Sequence, residues 1–187
     1  MILDGLLLFT GTSNGASGGI TSGANTDLPT TGTQIASNIL DLGITSGIPA
    51  SAAGGGGARD IGIGQPGVLK LMAISTIAWS AGTTLKILLE GAPDAGSNSP
   101  GSYSSMWETV TAITAAQMVA GAILCNVDVP RVVPGQALPR FLRLSFITTS
   151  THSAGTVEAG IVLDQDLHIV GSGGALSGYP AGINVAN

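Results

Sequence analysis

Charged side chains are scarce in this sequence. They make up 9% of its 187 residues, whereas a soluble domain usually carries about 25%. A free-standing soluble protein keeps a more heavily charged surface, because charge prevents association. Two explanations fit this composition: a neutral surface of Ser, Thr, Gly and Asn, or a surface largely covered by other subunits. We favour the second, so the composition indicates a protein that assembles with itself or with a partner.

Cations are the scarcest charges, and they are confined to the middle of the chain. The six Lys and Arg residues lie between Arg59 and Arg143, and the net charge is −5. Nucleic-acid binding depends on clustered cations that neutralise phosphates, and an anionic membrane surface attracts the same side chains. The sequence therefore argues against nucleic acid and membrane as partners.

Cysteine pairs and long apolar runs are also lacking. Cys125 is the single cysteine, so an intrachain disulfide is impossible, and its apolar neighbours predict a small buried side chain. The apolar start of the chain is short and carries Asp4 where a signal peptide needs cations. Polar residues interrupt the uncharged run at 109–127. We expect neither a secretory signal nor a transmembrane helix.

Glycine and other turn formers are abundant, above all near the two ends. The chain has 29 glycines, and residues 11–33 are nearly all Gly, Ser, Thr, Asn and Ala. Such a stretch cannot bury enough surface to fold alone. We expect an extended arm over residues 1–33, one folded domain over 34–166, and an extended C-terminal tail over 167–187.

The folded part shows the two-residue period of β-strands. Leu85, Ile87 and Leu89 share one predicted face, with Lys86 and Glu90 on the other. Further strands are predicted over residues 34–42, 68–77 and 107–113, and from the core-facing sets Ile123, Cys125, Val127 and Val129; Leu142, Leu144 and Phe146; and Val157, Ala159, Ile161 and Leu163. The run at 68–77 is apolar on both faces, which predicts a central strand.

One segment follows helical spacing instead. Thr114 and Gln117 fit a capping box, and Gly121 would end the helix within two turns. We therefore expect a short helical link between strands. Seven or so strands separated by Gly- and Pro-rich turns, with almost no helix, predict an all-β sandwich or barrel.

Three patterns match functional motifs, but each lacks the structural context that the motif needs. Residues 62–67 read GxGxxG, yet Pro66 and a strand-like run follow where a helix should begin. Ser13 and Ser17 stand in GxSxG patterns without the required strand and helix. Asp164, Asp166 and His168 alternate, as on the face of a metal-binding strand or of a solvated edge, and we favour the edge. We predict no catalytic residue, no metal and no cofactor.

Several segments follow one another in an informative order: LDGLLLF at 3–9, SNILDLG at 37–43, ARDIGIGQP at 58–66, LPRFLRL at 138–144 and AGTVEAGIVLD at 154–164. In this order and spacing the chain resembles the jelly-roll capsid cement (decoration) proteins of short-tailed phages. The resemblance covers most of residues 33–164 and the first nine residues.

The resemblance implies a jelly-roll β-sandwich that is not an enzyme. The protein would lie on the outer surface of the capsid and bridge neighbouring major capsid protein subunits. The virion would be assembled in the host cytoplasm. The implied partners are that protein and further copies of the chain, as a dimer in preference to a trimer. The alternative is a carbohydrate-binding or adhesive virion sandwich, such as a head fibre or a lectin-like module.

The apolar residues of the arm are candidates for a contact with capsid or a sister subunit. Leu6, Leu7, Leu8 and Phe9 are too apolar for a free tail, and the Gly-rich stretch after them offers no core. We expect them to form a strap that binds a partner surface and contributes little to the sandwich. The alternative is that they form a first strand of the same sandwich.

Overall fold

The computed structural model describes residues 7–11, 21–22, 26–43, 69–80, 84–130, 139–150 and 154–163. Within these ranges the chain is built of antiparallel strands, which confirms the all-β prediction. The strands are β1 Thr21–Ser22, β2 Asp27–Leu28, β3 Gly32–Ile35, β4 Leu40–Asp41, β5 Leu69–Ile77, β6 Thr84–Ala92, β7 Ser104–Glu108, β8 Ile113–Thr114, β9 Ile123–Asp128, β10 Phe141–Thr148 and β11 Thr156–Leu163.

The first sheet has the strand order β1-β2-β11-β5-β9. Strand β5 lies between β11 and β9, as its apolar sequence predicts. Leu71 pairs with Ile161 of β11 and with Val127 of β9. Leu71 and Ala73 belong to the core, and Met72 is buried as well.

The second sheet has the order β3-β10-β6-β7, with β4 beside β10 and β8 beside β6. Leu144 of β10 lies opposite Leu89 of β6, and Phe146 lies opposite Ile87. Directly opposed residues of antiparallel strands share a face, so this register places the apolar sets of both strands on one side. Leu85, Ile87, Leu89, Leu142, Leu144 and Phe146 are all fully buried.

One hydrophobic core joins the two sheets. Leu71, Ala159 and Ile161 of the first sheet belong to the same buried cluster as Leu89 and Leu144 of the second. The sheets therefore pack face to face around a shared core, and the period-two alternation in the sequence correctly predicts which side chains of β6 and β10 lie inside.

Residues 34–42 do not form the single predicted strand. Strand β3 ends at Ile35 and β4 begins at Leu40. The Ala36 N–H still donates to the Leu144 carbonyl oxygen of β10 at 2.9 Å, and the chain pairs with β10 again at Leu40. The Ser37 side chain and N–H bind Asp27, and the Asn38 N–H donates to the Phe9 carbonyl oxygen at 2.8 Å. These bonds hold Ser37 against β2 and Asn38 against the N-terminal segment.

The strand predicted over residues 107–113 is also wrong in its bounds. Strand β7 ends at Glu108 and β8 begins at Ile113. Thr109 binds β6 through two bonds: its N–H donates to the Ile87 carbonyl oxygen, and its hydroxyl accepts the Ile87 N–H. The chain then leaves β6 and returns to it at Leu85.

The helical link predicted between Thr114 and Gly121 is shorter than the helical spacing of its residues suggests. It is one 3₁₀ turn, Ala115–Gln117, whose N-terminus has the predicted capping box: the Gln117 Oε1 accepts the Thr114 N–H at 2.9 Å. Met118 is fully buried, and Gly121 reverses the chain with a φ of +82°.

A register shift changes the orientation of Ile123. Ala73 pairs with Cys125, but the next residue of β5, Ile74, pairs with Ile123, so Leu124 is an extra residue of β9. Such a bulge moves the residues beyond it to the other face of the sheet. The prediction that Ile123 faces the core is therefore wrong, and the side chain is 52% exposed.

The described part of the N-terminal segment, residues 7–11, packs against the sandwich through an isolated bridge, and it is not the first strand that the alternative to a strap predicted. Leu8 bridges Gly160 of β11, and the Phe9 N–H donates to the Ala159 carbonyl oxygen at 2.8 Å. Phe9 is fully buried in the shared core. Leu8 and Phe9 are thus buried within this chain, and the predicted contact of residues 6–9 with a capsid or sister subunit stays a prediction.

Candidate docking surface

Four short ranges of described residues at one end of the sandwich contain no charged side chain. Here β5 and β9 meet the turn between β8 and β9, and β10 ends beside the start of β6. The ranges are 77–80, 114–123, 148–150 and 154–156. Charged residues lie one or two positions beyond them: Asp27 opposite Val157, Lys86 opposite Ile147, and Glu158. We call these four ranges the uncharged pole.

The uncharged pole presents three exposed aliphatic side chains. Ile77 and Val119 are each 55% exposed, and Ile123 is 52% exposed. Two backbone bonds hold the turn that carries Val119 against β5: the Gly121 N–H donates to the Ser75 carbonyl oxygen at 2.7 Å, and the Ser75 N–H donates to the Ala122 carbonyl oxygen at 2.8 Å. We call Ile77, Val119 and Ile123 the aliphatic triad.

Buried residues hold the turn that carries Val119. The Met118 side chain is fully buried, and its carbonyl oxygen accepts the Trp79 N–H at 3.0 Å and the Ser75 hydroxyl at 3.4 Å. Trp79 is itself buried and lies directly against Gly155 at the start of β11. The pole therefore has defined positions for its backbone and its support.

The opposite end of the sandwich holds an ion-pair network around Arg140, just before β10. The Arg140 guanidinium binds both carboxylate oxygens of Asp41, at 2.8 and 2.9 Å, and also Asp94 at 2.5 Å and Asn98 at 2.8 Å. The hydrogen bonds and charge of Asp41, followed by those of Asp94, raise the pKa of Arg140 against the opposing effect of burial. Bidentate Arg–carboxylate pairs fix orientation as well as charge, so the network ties β4 and the turn after β6 to β10.

A second polar cluster covers the outer face of β6 and β10. Arg143 Nε binds Glu90 at 2.9 Å, Ser145 donates its hydroxyl to the same carboxylate, and the Arg143 guanidinium lies 3.8 Å from the ring centre of Tyr103. Burial by itself raises the pKa of Glu90, but the bonds from Arg143 and Ser145 outweigh it and lower the pKa overall. Burial also raises the pKa of Tyr103.

Asp27 of β2 is a buried carboxylate that holds the N-terminal segment in place. It has no exposed surface, and it accepts the N–H of Gly11 at 3.3 Å and both the N–H, at 2.7 Å, and the hydroxyl of Ser37. Burial raises its pKa, and these hydrogen bonds offset part of that effect. Sequence reasoning missed Asp27, although it is the only charged residue between Asp4 and Asp41.

The structure places only part of the predicted contact set. Leu6 lies outside the described residues, Leu7 packs half-buried against the core, and Leu8 and Phe9 are buried. Residues 62–67, which read GxGxxG, also lie outside the described residues. So do Ser13, Ser17, His152, Asp164, Asp166 and His168.

Cys125 lies on β9 with its side chain toward the core, as the sequence predicts. It is 7% exposed, and burial raises the pKa of its thiol to about 12. A thiol with this pKa is almost wholly protonated at neutral pH, so Cys125 is a packing residue. Within the described ranges, no group of three or more His, Cys, Asp or Glu side chains is arranged to hold a metal ion, and no helix there is long and apolar enough to span a membrane.

Comparison with protein-family models finds no family that matches the chain, and comparison with curated proteins finds no matching relative.

Proposed function

We propose that the chain is a non-catalytic virion structural protein that binds the outside of an icosahedral phage capsid and cements neighbouring major capsid protein subunits. The observation that carries this proposal is the strand order. If β2, β3, β5, β6, β7, β9, β10 and β11 are numbered one to eight along the chain, the sheets read 1-8-3-6 and 2-7-4-5. This order supports a jelly roll with two Greek keys, the fold that the resemblance to cement proteins implies.

Jelly rolls also occur in lectins, so surface chemistry has to separate the two functions. A glycan site usually presents an exposed aromatic ring beside polar groups. Among the described residues, Phe9, Trp79, Phe141 and Phe146 are buried, and Trp107 packs half-buried against the core. Tyr103 is half-buried, with Arg143 over one ring face. These aromatic positions favour the cement protein over the carbohydrate-binding alternative.

The cations of the structure support a protein partner over nucleic acid. Lys70 pairs with Asp128, Arg140 with Asp41 and Asp94, and Arg143 with Glu90. Phosphate binding needs free, clustered cations. With three of the six Lys and Arg residues held by carboxylates, the partners that fit are the major capsid protein and further copies of this chain.

Co-sedimentation with capsids tests the proposal. Purified chain is mixed with shells of the major capsid protein from the same phage, without detergent, and the shells are pelleted. We expect saturable binding in a fixed ratio to capsid subunits, and a higher disruption temperature of the decorated shells in calorimetry. No binding to the shells, together with a specific signal on a glycan array, would overturn the proposal in favour of the carbohydrate-binding alternative.

A further inference from the structure

We propose that β-bulges in the two longer end strands, β7 and β9, protect this charge-poor chain from aggregation by strand pairing. This protection belongs to the free chain and does not depend on the capsid function. Charged residues make up 9% of the chain, and surface charge is the usual means by which a soluble protein avoids association. A β-sandwich with so little charge needs another means at the edges of its sheets.

The strands at the ends of the two sheet paths are β1 and β9 in the first sheet and β3 and β7 in the second, among the described residues. The N–H and C=O groups on the outer side of an end strand can pair with a strand of another chain, which is a route to aggregation. A short end strand offers few such groups, and β1 has two residues and β3 four. Strands β7 and β9 are longer, with five and six residues, so shortness protects them less.

Strand β7 contains a bulge at Met106. Leu89 of β6 pairs with Trp107, and the next residue of β6 pairs with Ser105, so Met106 is an extra residue of β7. Met106 and Trp107 both pack against the core, although neighbouring residues of a regular strand point to opposite faces. Gly91 makes room for this arrangement, because a Cβ atom there would stand 2.6 Å from the Met106 Sδ.

Strand β9 repeats this pattern at Leu124. Leu124 is the extra residue opposite β5, and Leu124 and Cys125 both pack against the core. Residues 123–127 contain no charge, no proline and no glycine. Segments of this composition are the ones that stack into cross-β aggregates when they lie exposed on an edge. The bulge therefore lies in the end strand whose sequence carries this hazard.

A bulge opposes strand addition through its geometry. The extra residue bends the strand, increases its twist and interrupts the ladder, whereas an added strand needs hydrogen-bonding groups at regular intervals. In β7 the bulge lies at the central residue, so an approaching strand finds two residues in register on either side of it. The chain therefore binds its partners through side chains and not by adding a strand to β7 or β9.

Deletion of the extra residues tests the proposal. Removal of Met106 or of Leu124 leaves the other pairs of each strand in their present register and makes the edge regular. Met106→Ala and Leu124→Ala are the matched controls, because they shorten the same side chains and keep the extra residue in the backbone. Ser105→Lys, added to the Met106 deletion, is a rescue variant, since lysine on an end strand opposes pairing.

Each variant is incubated at about 100 µM, a concentration at which exposed strand edges aggregate, and at the same interval below its own melting temperature. Light scattering and thioflavin T fluorescence follow the reaction. We expect each deletion to aggregate at least about 10-fold faster than its alanine control, because a regular edge accepts further strands. The Ser105→Lys rescue variant should return to the rate of the alanine control.

Two results would overturn the proposal. Deletion variants that stay as soluble as their alanine controls would assign the bulges to core packing alone. Alanine controls that aggregate as fast as the deletions would assign the aggregation to the lost side chain and not to the edge.

Hydrogen exchange of the wild type keeps the test valid if a deletion variant fails to fold. Those amides of residues 104–108 that do not bond to β6 should exchange equally fast at about 1 and 100 µM, because no strand of another copy covers them. Exchange of these amides that is at least about 10-fold slower at the higher concentration would show that copies pair through β7. That result would also overturn the proposal.

Discussion

Gly155 lies so close to Trp79 that no side chain fits between them. A Cβ atom on residue 155 would stand 2.6 Å from Cγ of Trp79 and 2.7 Å from Cδ2. Gly155 also has a φ of +112°, in the region that favours glycine. The contact joins the end of β5 to the start of β11, so this glycine is part of the support of the uncharged pole.

Gly155→Ala should destabilise the sandwich by about 3 kcal/mol or more, because it adds a steric clash to backbone strain. Gly96→Ala is the control: Gly96 has a φ of +106°, but a Cβ there meets nothing within 4 Å. Gly96→Ala should lower the unfolding free energy only by the backbone strain, about 1–2 kcal/mol. Urea unfolding of both variants measures the difference, and equal losses would mean that Trp79 does not pack as described.

Phe9→Ala should lower the unfolding free energy by about 3–5 kcal/mol, the usual cost of removing a buried aromatic side chain. The reason is that Phe9 has no exposed surface and lies in the core shared by both sheets. Thermal or urea denaturation measures the change, with half-exposed Ile39→Ala as the control, expected to cost less than about 1 kcal/mol. Near-wild-type stability of Phe9→Ala would restore the idea of a separable strap.

Much of the core could be predicted from the sequence because apolar residues recur at every second position of β6 and β10. In Leu85, Ile87 and Leu89, and again in Leu142 and Leu144, every second residue is apolar, and the pleat places these residues on one face. Nothing interrupts their mutual pairing, so the pattern translates directly into burial.

Other features could not be predicted because they depend on partners distant in sequence. The exposure of Ile123 follows from the bulge at Leu124, and a run of apolar residues does not reveal an extra residue in the ladder. The burial of Phe9 depends on Ala159 and Asn38, which hold its backbone from two sides. Composition showed that the N-terminal stretch was poor in core residues, but not that a lone buried Asp27 would anchor it.

The Glu90 carboxylate should lose its stabilising contribution in acid. Its pKa is lower in the folded chain than the ordinary value of 4.5, so the folded state binds this proton less tightly than the unfolded state. The resulting stabilisation is present above pH 4.5 and is lost as the pH falls through the lowered pKa. We expect the stability advantage of the wild type over Glu90→Gln to shrink between about pH 5 and pH 3.

Urea titrations at several pH values measure this difference for Glu90→Gln. Glu108→Gln, which removes an exposed carboxylate from the edge strand β7, controls for the general effect of net charge. A difference that grows as the pH falls would contradict the arrangement of Arg143 and Ser145 around Glu90.

Cys125 should resist thiol reagents in the folded protein. Its side chain is 7% exposed and burial raises its thiol pKa to about 12, and reagents such as iodoacetamide attack the thiolate. Labelling of Cys125 at pH 8 should be slow in buffer and rapid in denaturing urea. Mass spectrometry measures both rates. Rapid labelling of the native protein would show that β9 opens or that the thiol faces solvent.

Electron cryo-microscopy of intact virions tests the central proposal most directly, because it would show whether the chain lies on a phage particle and where. We expect two-sheet sandwich density on the outside of the icosahedral shell, touching at least two major capsid subunits. Shell density without any such sandwich, or the chain found in a tail or fibre instead, would contradict the account.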